Sequence, residues 1–255
     1  MKKELNNELA LRYSRQILLA GFDLDKQEIL MNSKILVIGA GGLGCAASQY
    51  IVAAGVGQIT IVDDDLVEVS NLQRQVLHFE ESIGSKKVDS AKNTLTKINP
   101  HVDITTIDKR LSHEDLESAV TAHDLVLDCT DNLETRNKLN DICYAMKKPL
   151  VSGAAIRMEG QIFCVIPSMK TACYRCLSHY FGEQNLSCVE AGVMSPVVGI
   201  VGATQANEAI KILTSFGQVP INKLQVFDAI ASNWESFLVK PLEHCVTCAA
   251  VQVNE

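Results

Sequence analysis

The sequence predicts an α/β fold, a doubly wound, Rossmann-like and mostly parallel sheet with an antiparallel C-terminal extension and a four-cysteine zinc site. Three observations carry this prediction. A short apolar run over residues 35–38 leads into Gly39, Gly41 and Gly44 at G-x-G-x-x-G spacing. Strand and helix patterns then alternate to about residue 152, as a doubly wound sheet requires. Two C-x-x-C pairs, Cys173/Cys176 and Cys245/Cys248, lie in the last hundred residues, where that alternation stops.

With 255 residues, 47% apolar and 21% charged, the chain can bury a full core. It reads as one domain with three parts: N-terminal helices over 1–31, a nucleotide-binding part over 32–152 and an antiparallel extension over 153–255. The net charge is −7 and no long Lys/Arg cluster occurs, which argues against nucleic acid as a partner. Residues 1–7 are polar, and no run approaches the ~18 apolar residues of a membrane span, so a cytoplasmic location with no membrane partner is expected.

In chain order, Leu9, Tyr13, Ile17 and Leu18 mark an amphipathic first helix with Arg12 and Arg15 on its polar side. The strand at 35–38 and the glycine turn feed a helix on which Leu43, Ala46, Ala47, Tyr50, Ile51 and Ala54 recur every three or four residues. Gly55 and Gly57 stop it before a second strand at 58–62. A polar turn, Ser70-Asn71-Leu72-Gln73-Arg74, lies beyond that strand. Lys86 and Lys87 open a helix to about Ile98, ended by Asn99-Pro100. Strands follow at 102–107 and 123–128, a helix from near Leu133, and a strand at 149–152. Strands at 160–166, 223–227 and 237–239 lack regular crossover helices, which predicts the antiparallel extension. A small-residue helix over 199–216, stopped by Gly217, lies between them.

The chemistry of the strand–glycine–helix unit is phosphate binding, because glycines let the backbone approach an anion and the helix start offers free N–H groups. Gly39, Gly41, Gly42 and Gly44 supply that loop. Asp63 closes the second strand at about the spacing at which an acid accepts a ribose hydroxyl. Arg74, Lys87 and Arg15 suit a triphosphate, and Asp131, on the same edge of the sheet, could hold Mg²⁺ there. NAD-dependent redox chemistry is the competing use of such a loop. The sequence has neither a G-x-S-x-G elbow nor a P-loop, which disfavours a serine hydrolase and a P-loop NTPase.

Four cysteines at paired spacing can supply four thiolates to one tetrahedral ion, a closed site that would staple the C-terminal segment to the loop near Cys173. A redox dithiol and unrelated cysteines are the alternatives. Cys45, Cys129, Cys143 and Cys164 fall in apolar stretches and read as small buried hydrophobes. Cys188, in the polar stretch Asn185-Leu-Ser-Cys-Val-Glu190, reads either as a reactive thiol or as an ordinary loop cysteine.

Gly39-Ala-Gly-Gly-Leu-Gly44, Ser70-Asn-Leu-Gln-Arg-Gln75, Asp128-Cys-Thr-Asp-Asn132 and the two C-x-x-C pairs together resemble the ThiF/MoeB/HesA group of E1-like adenylyltransferases. Ser152-Gly-Ala-Ala-Ile-Arg-Met-Glu-Gly160 and Cys188-Val-Glu-Ala-Gly-Val-Met194 are similar to its molybdopterin branch rather than its thiamine branch. The resemblance implies that ATP activates the C-terminal glycine of a small ubiquitin-like sulfur-carrier protein ending in Gly-Gly. Sulfur from an external persulfide donor then replaces AMP to give a thiocarboxylate for molybdenum cofactor biosynthesis. A thiamine carrier or a tRNA-thiolation carrier would use the same tail chemistry, and a nucleotide-binding module without catalysis is the reading of another class. By the same resemblance Asp63 binds ribose, Asn71, Arg74 and Lys87 the phosphates, and Asp131 the Mg²⁺ or the reacting phosphate, with Asp65, Gln75, Asn132 and Arg136 as further candidates for nucleotide binding. Arg15 matches an arginine that reaches across a homodimer into the partner's ATP site, and Cys188 matches a loop cysteine that is a candidate for sulfur transfer.

Overall fold

A computed structural model describes residues 2–181 and 191–249. Among these residues eight strands form one sheet in the order β3-β2-β1-β4-β5-β6-β7-β8. The first five, β1 (Lys34–Ile38), β2 (Gln58–Val62), β3 (Asp103–Ile107), β4 (Leu125–Asp128) and β5 (Leu150–Ile156), are parallel. Then β6 (Glu159–Val165), β7 (Lys223–Asp228) and β8 (Asn233–Leu238) run antiparallel, with Ala155 opposite Gly160 and Phe227 opposite Trp234. The central strands β1 and β4 are almost continuous Ile, Leu and Val because helices cover them on both faces.

One face buries Ile35, Val37, Ile59, Ile61, Leu125 and Leu127 beneath helices α4 (Gly42–Ala54), α5 (Lys87–Ile98) and α9 (Ser195–Thr214). The other buries Leu36, Val126, Leu150 and Phe163 against α6 (His113–Ala122), α7 (Leu133–Ala145) and the cysteine cluster. The close packing of α4 on α9 depends on Gly202, where a Cβ would come within 2.5 Å of Leu43 O and 2.8 Å of Ala46 Cβ.

Several boundaries differ from the sequence reading for physical reasons. The first amphipathic helix is broken at Tyr13 into α1 (Asn7–Arg12) and α2 (Ser14–Ile17), and Leu18 is 73% exposed rather than on the buried face. Tyr13 leaves the helical geometry to pack its ring against Gly55 and to accept a hydrogen bond from Asn99 Nδ2 at 2.8 Å. A third N-terminal helix, α3, covers Asp23–Met31. The small-residue helix α9 starts four residues earlier than predicted, with Pro196 in its first turn, and ends at Thr214 because Ser215 turns left-handed (φ 51°). The last strand occupies Asn233–Leu238 rather than residues 237–239, and all its residues are exposed, so no inward apolar alternation announced it.

Candidate active site and cysteine cluster

The loops after β1, β2 and β4 emerge on one edge of the sheet, where parallel α/β sheets bind ligands. Gly39 N–H donates to Val62 O at 2.8 Å and Cys129 N–H to Ile38 O at 2.9 Å, which ties the three strand ends together. Gly39 has φ +101°, and a Cβ there would stand 2.7 Å from Cys129 O. Glycine alone permits that approach. A Cβ on Gly44 would collide with Gly39 O, so α4 starts directly under the loop with its first N–H groups facing the edge.

Asp63 braces this loop. One carboxylate oxygen accepts from Ala40 N–H at 2.6 Å and the other from Asp65 N–H at 2.9 Å. Asp65 in turn receives Lys87 Nζ at 2.7 Å, and the lysine side chain is only 7% exposed. Lys86 pairs instead with Asp108, the residue that follows β3. The turn after β2 lays Arg74 and Gln75 over the loop: Arg74 O is 3.4 Å from where a Gly42 Cβ would be, and Gln75 Nε2 is 3.8 Å from a Gly41 Cβ. Asn71 spends its Oδ1 on Glu68 N–H, and Arg74 Nη1 rests on Ser70 O at 2.9 Å. Gln75 is buried, yet its Oε1 has no partner among the described residues. A buried amide beside an open glycine loop is a group waiting for a ligand's donor.

On the third loop Asp128 is sealed in the core, accepting from Thr130 and from Ser152 Oγ at 2.7 Å, which leaves the exposed Asp131 facing solvent at the edge. Asn132 caps α7 by accepting from Thr135 N–H at 2.9 Å. Arg136 turns inward: its guanidinium donates to Thr130 O at 2.5 Å and lies 5.9 Å from the centre of the Tyr174 ring. It therefore holds the Asp131 loop from behind. Arg15 is not brought to this edge. Its neighbour Gln16 donates to Ala54 O, and Tyr13 packs on Gly55, both at the C-terminal end of the 13-residue helix α4. At 1.5 Å per residue that end is about 20 Å from the glycine loop. Cys188 lies outside the described residues.

The two C-x-x-C pairs converge. Cys173, Cys176, Cys245 and Cys248 are buried with their sulfurs all within 4.8 Å of one another, Cys173 to Cys245 at 3.5 Å and Cys176 to Cys248 at 3.4 Å. Tetrahedral thiolates at the usual zinc–sulfur length stand roughly 3.8 Å apart, so the donor set fits that ion. Bonds from Cys173 and Cys248, with Leu242 N–H, lower the Cys176 thiol pKa, while the same crowding raises those of Cys173 and Cys248. The short helix α8 (Tyr174–Ser178), capped by Cys173 and carrying Cys176, is strapped to α7: Tyr174 N–H donates to Asn140 Oδ1 at 2.6 Å, and Arg175 pairs with Asp141 at 2.6 Å. Thr247 adds a third tie to Asp141. Burial acts to raise the Asp141 carboxyl, but the bonds from Arg175 and Thr247 outweigh it and leave it below the usual carboxylate range.

Residues 13–248 match the ThiF family model. The chain belongs to the ThiF family. It is 51% identical over 245 residues to the molybdopterin-synthase adenylyltransferase of Escherichia coli K12, covering 96% of this chain and 98% of that protein. It is also 42% identical over 244 residues to the sulfur carrier protein ThiS adenylyltransferase of the same organism, covering 96% and 97%. The crystal structure of E. coli MccB with MccA-N7isoASN shares the fold at a TM-score of 0.84 and 23% identity, covering 96% of this chain and 76% of that one. Within this family member two residues that motif spacing did not single out support the site: the buried His78, bonded to the glycine loop, and the buried Gln205, which donates to Asp128 O at 2.8 Å and Val151 O at 3.1 Å. Both were legible only as polar residues within apolar patterns.

Proposed function

We propose that the protein adenylates the C-terminal glycine of a small ubiquitin-like sulfur carrier for molybdopterin synthesis. The observation that carries this reading is the 51% identity over nearly the whole chain to a molybdopterin-synthase adenylyltransferase. The carrier's carboxylate attacks the α-phosphorus of ATP, the α–β bridging bond breaks, and pyrophosphate leaves. Two anions must meet in that step, so catalysis needs position and fixed positive charge rather than a protein nucleophile.

The chain's own residues divide that work. The loop Gly39–Gly44 and the start of α4 offer N–H groups to phosphate oxygens, with Arg74 and Lys87 supplying charge. Asp63 and Asp65 fix the loop and Lys87, Gln75 presents its buried amide, and Arg136 and Asn132 set the loop from which Asp131 faces the nucleotide. Asp131 is the residue that would hold Mg²⁺, which when bound neutralises phosphate charge. Zinc at the four cysteines would be structural, since a closed set of thiolates leaves no position for substrate.

Arg15, about 20 Å from its own loop by helix length, fits the ATP site of a partner subunit in a homodimer. Sulfur from an external persulfide donor attacks the acyl-adenylate and expels AMP, with Cys188 a candidate in that transfer. The 42% identity to a ThiS adenylyltransferase favours a thiamine carrier as the second reading. ATP–pyrophosphate exchange with each purified carrier decides between them. Exchange dependent on a molybdopterin-type carrier ending in Gly-Gly is expected, and nucleotide binding without exchange on any such carrier would overturn the reading.

A further inference from the structure

Beneath the glycine loop lies a polar cluster that the activation chemistry does not use. His78 is 4% exposed, with Nε2 3.1 Å from Ala40 O and Nδ1 2.9 Å from Ser90 Oγ. Cys45 Sγ also donates to Ala40 O, at 3.3 Å. A carbonyl can only accept, so Nε2 carries the hydrogen, and Nδ1 of the neutral ring accepts from the Ser90 hydroxyl. Ser90 sits on α5 one turn beyond Lys87.

The Ala40 residue is therefore held at both ends, its N–H by Asp63 and its C=O by His78. In a trans peptide the carbonyl and the next N–H point in opposite directions. With Ala40 O turned into the core, Gly41 N–H is turned out to the ligand edge, and no described residue accepts from it. We propose that His78 is a positioning residue for nucleotide binding: it fixes the Ala40–Gly41 peptide so that Gly41 N–H faces phosphate, and through Ser90 it ties that peptide to the helix that carries Lys87. This rests on the nucleotide reading of the loop.

Burial lowers the His78 pKa from its ordinary value, opposed by the bond to Ala40 O. The charged and titratable groups facing it are Lys87 on α5, Asp63 after β2 and Cys45 on α4. A ring kept neutral has one donor nitrogen and one acceptor nitrogen, as this arrangement demands.

The test uses the full-length protein and two substitutions. His78→Phe keeps the volume and removes both bonds, and His78→Gln restores a donor near the Nε2 position. With folding checked by circular dichroism, His78→Phe should raise the KM for ATP in pyrophosphate exchange about tenfold while lowering kcat by less than about threefold, and weaken equilibrium ATP binding equally. His78→Gln should recover most of that loss. Wild-type KM should stay flat from pH 8 to about 6.5 and rise below it as the ring gains a second proton. A folded His78→Phe protein with KM and ATP affinity within twofold of wild type overturns the inference, and so does a Gln variant as impaired as Phe, which would make the effect one of packing. Should His78→Phe not fold, Ser90→Ala replaces it: a roughly threefold rise in ATP KM is expected, and an unchanged value overturns the inference. If wild type binds ATP but exchanges with no carrier, the adenylation reading fails, and the binding arm still decides the role of His78.

Discussion

Asp63 shows how far a residue type can be read and where its geometry takes over. An acid at the end of a second strand reads as a ribose acceptor, yet here both oxygens already receive backbone N–H groups. Its carboxylate first builds the loop, and only a remaining lone pair can meet a nucleotide. Asp131 is the opposite case, exposed at the edge with no hydrogen bond to its carboxylate among the described residues. Asp131→Ala and Arg74→Ala should therefore fold like wild type and lose carrier-dependent pyrophosphate exchange by roughly 10²–10³-fold. Wild-type exchange in either would remove that residue from the site. A pH effect also belongs at this scale. His123, lodged between Ala119 O at 2.7 Å and Thr60 Oγ1 at 2.8 Å, has its pKa lowered from 6.5 by burial, as His78 does. The unfolded chain then binds more protons, so this stability is present above about pH 6.5 and is lost as pH falls below it. The urea midpoint should hold between pH 8 and 6.5 and decline toward pH 5.5, and a midpoint level over that lower range would count against neutral buried histidines.

Among the elements, α7 joins two sites that look separate in the sequence. Its first turn frames Asp131, and its later residues Asn140 and Asp141 hold Tyr174, Arg175 and Thr247 beside the cysteines. Cys176→Ala should release about one zinc per chain, measured by mass spectrometry of the metal, and lower the melting temperature by several degrees, because metal binding energy is folding energy. A metal-free wild type of equal stability would dismiss the zinc. The central parallel strands were legible because their two covered faces force apolar runs, and the cysteine pairs because C-x-x-C spacing brings the two thiols of each pair within ligand reach. The register of Ile35 opposite Ile59 and Leu125 carries the glycine loop and Asp131 to one edge, which strand order alone made readable. What was not legible lacked such a signal: α6 went unread for want of a strong apolar stripe, β8 shows no buried face, and the inward turn of Arg136 onto Thr130 depends on Tyr174, 38 residues away.

For the molecule as a whole, the N-terminal helices sit at the wrong end of α4 for Arg15 to serve its own loop. Mixing Arg15→Ala chains with Arg74→Ala chains should then restore activity in mixed dimers. Random reassortment makes half the dimers mixed with one intact site each, so about a quarter of wild-type exchange is expected from two inactive parents. No recovery, with subunit mixing shown by native mass spectrometry, would place Arg15 outside the reaction. The notch at Gly202 has a consequence of another kind. With its backbone seated against Leu43 O and Ala46, α9 cannot lift from α4 without opening the core beneath the glycine loop. In heavy water the amides of both helices should become labelled together, at the slow rate set by global unfolding. Nucleotide held at the loop should delay that labelling in α9 as much as in α4, so a helix that only packs on the loop, through Val198 beside Gly42, would report on its occupancy.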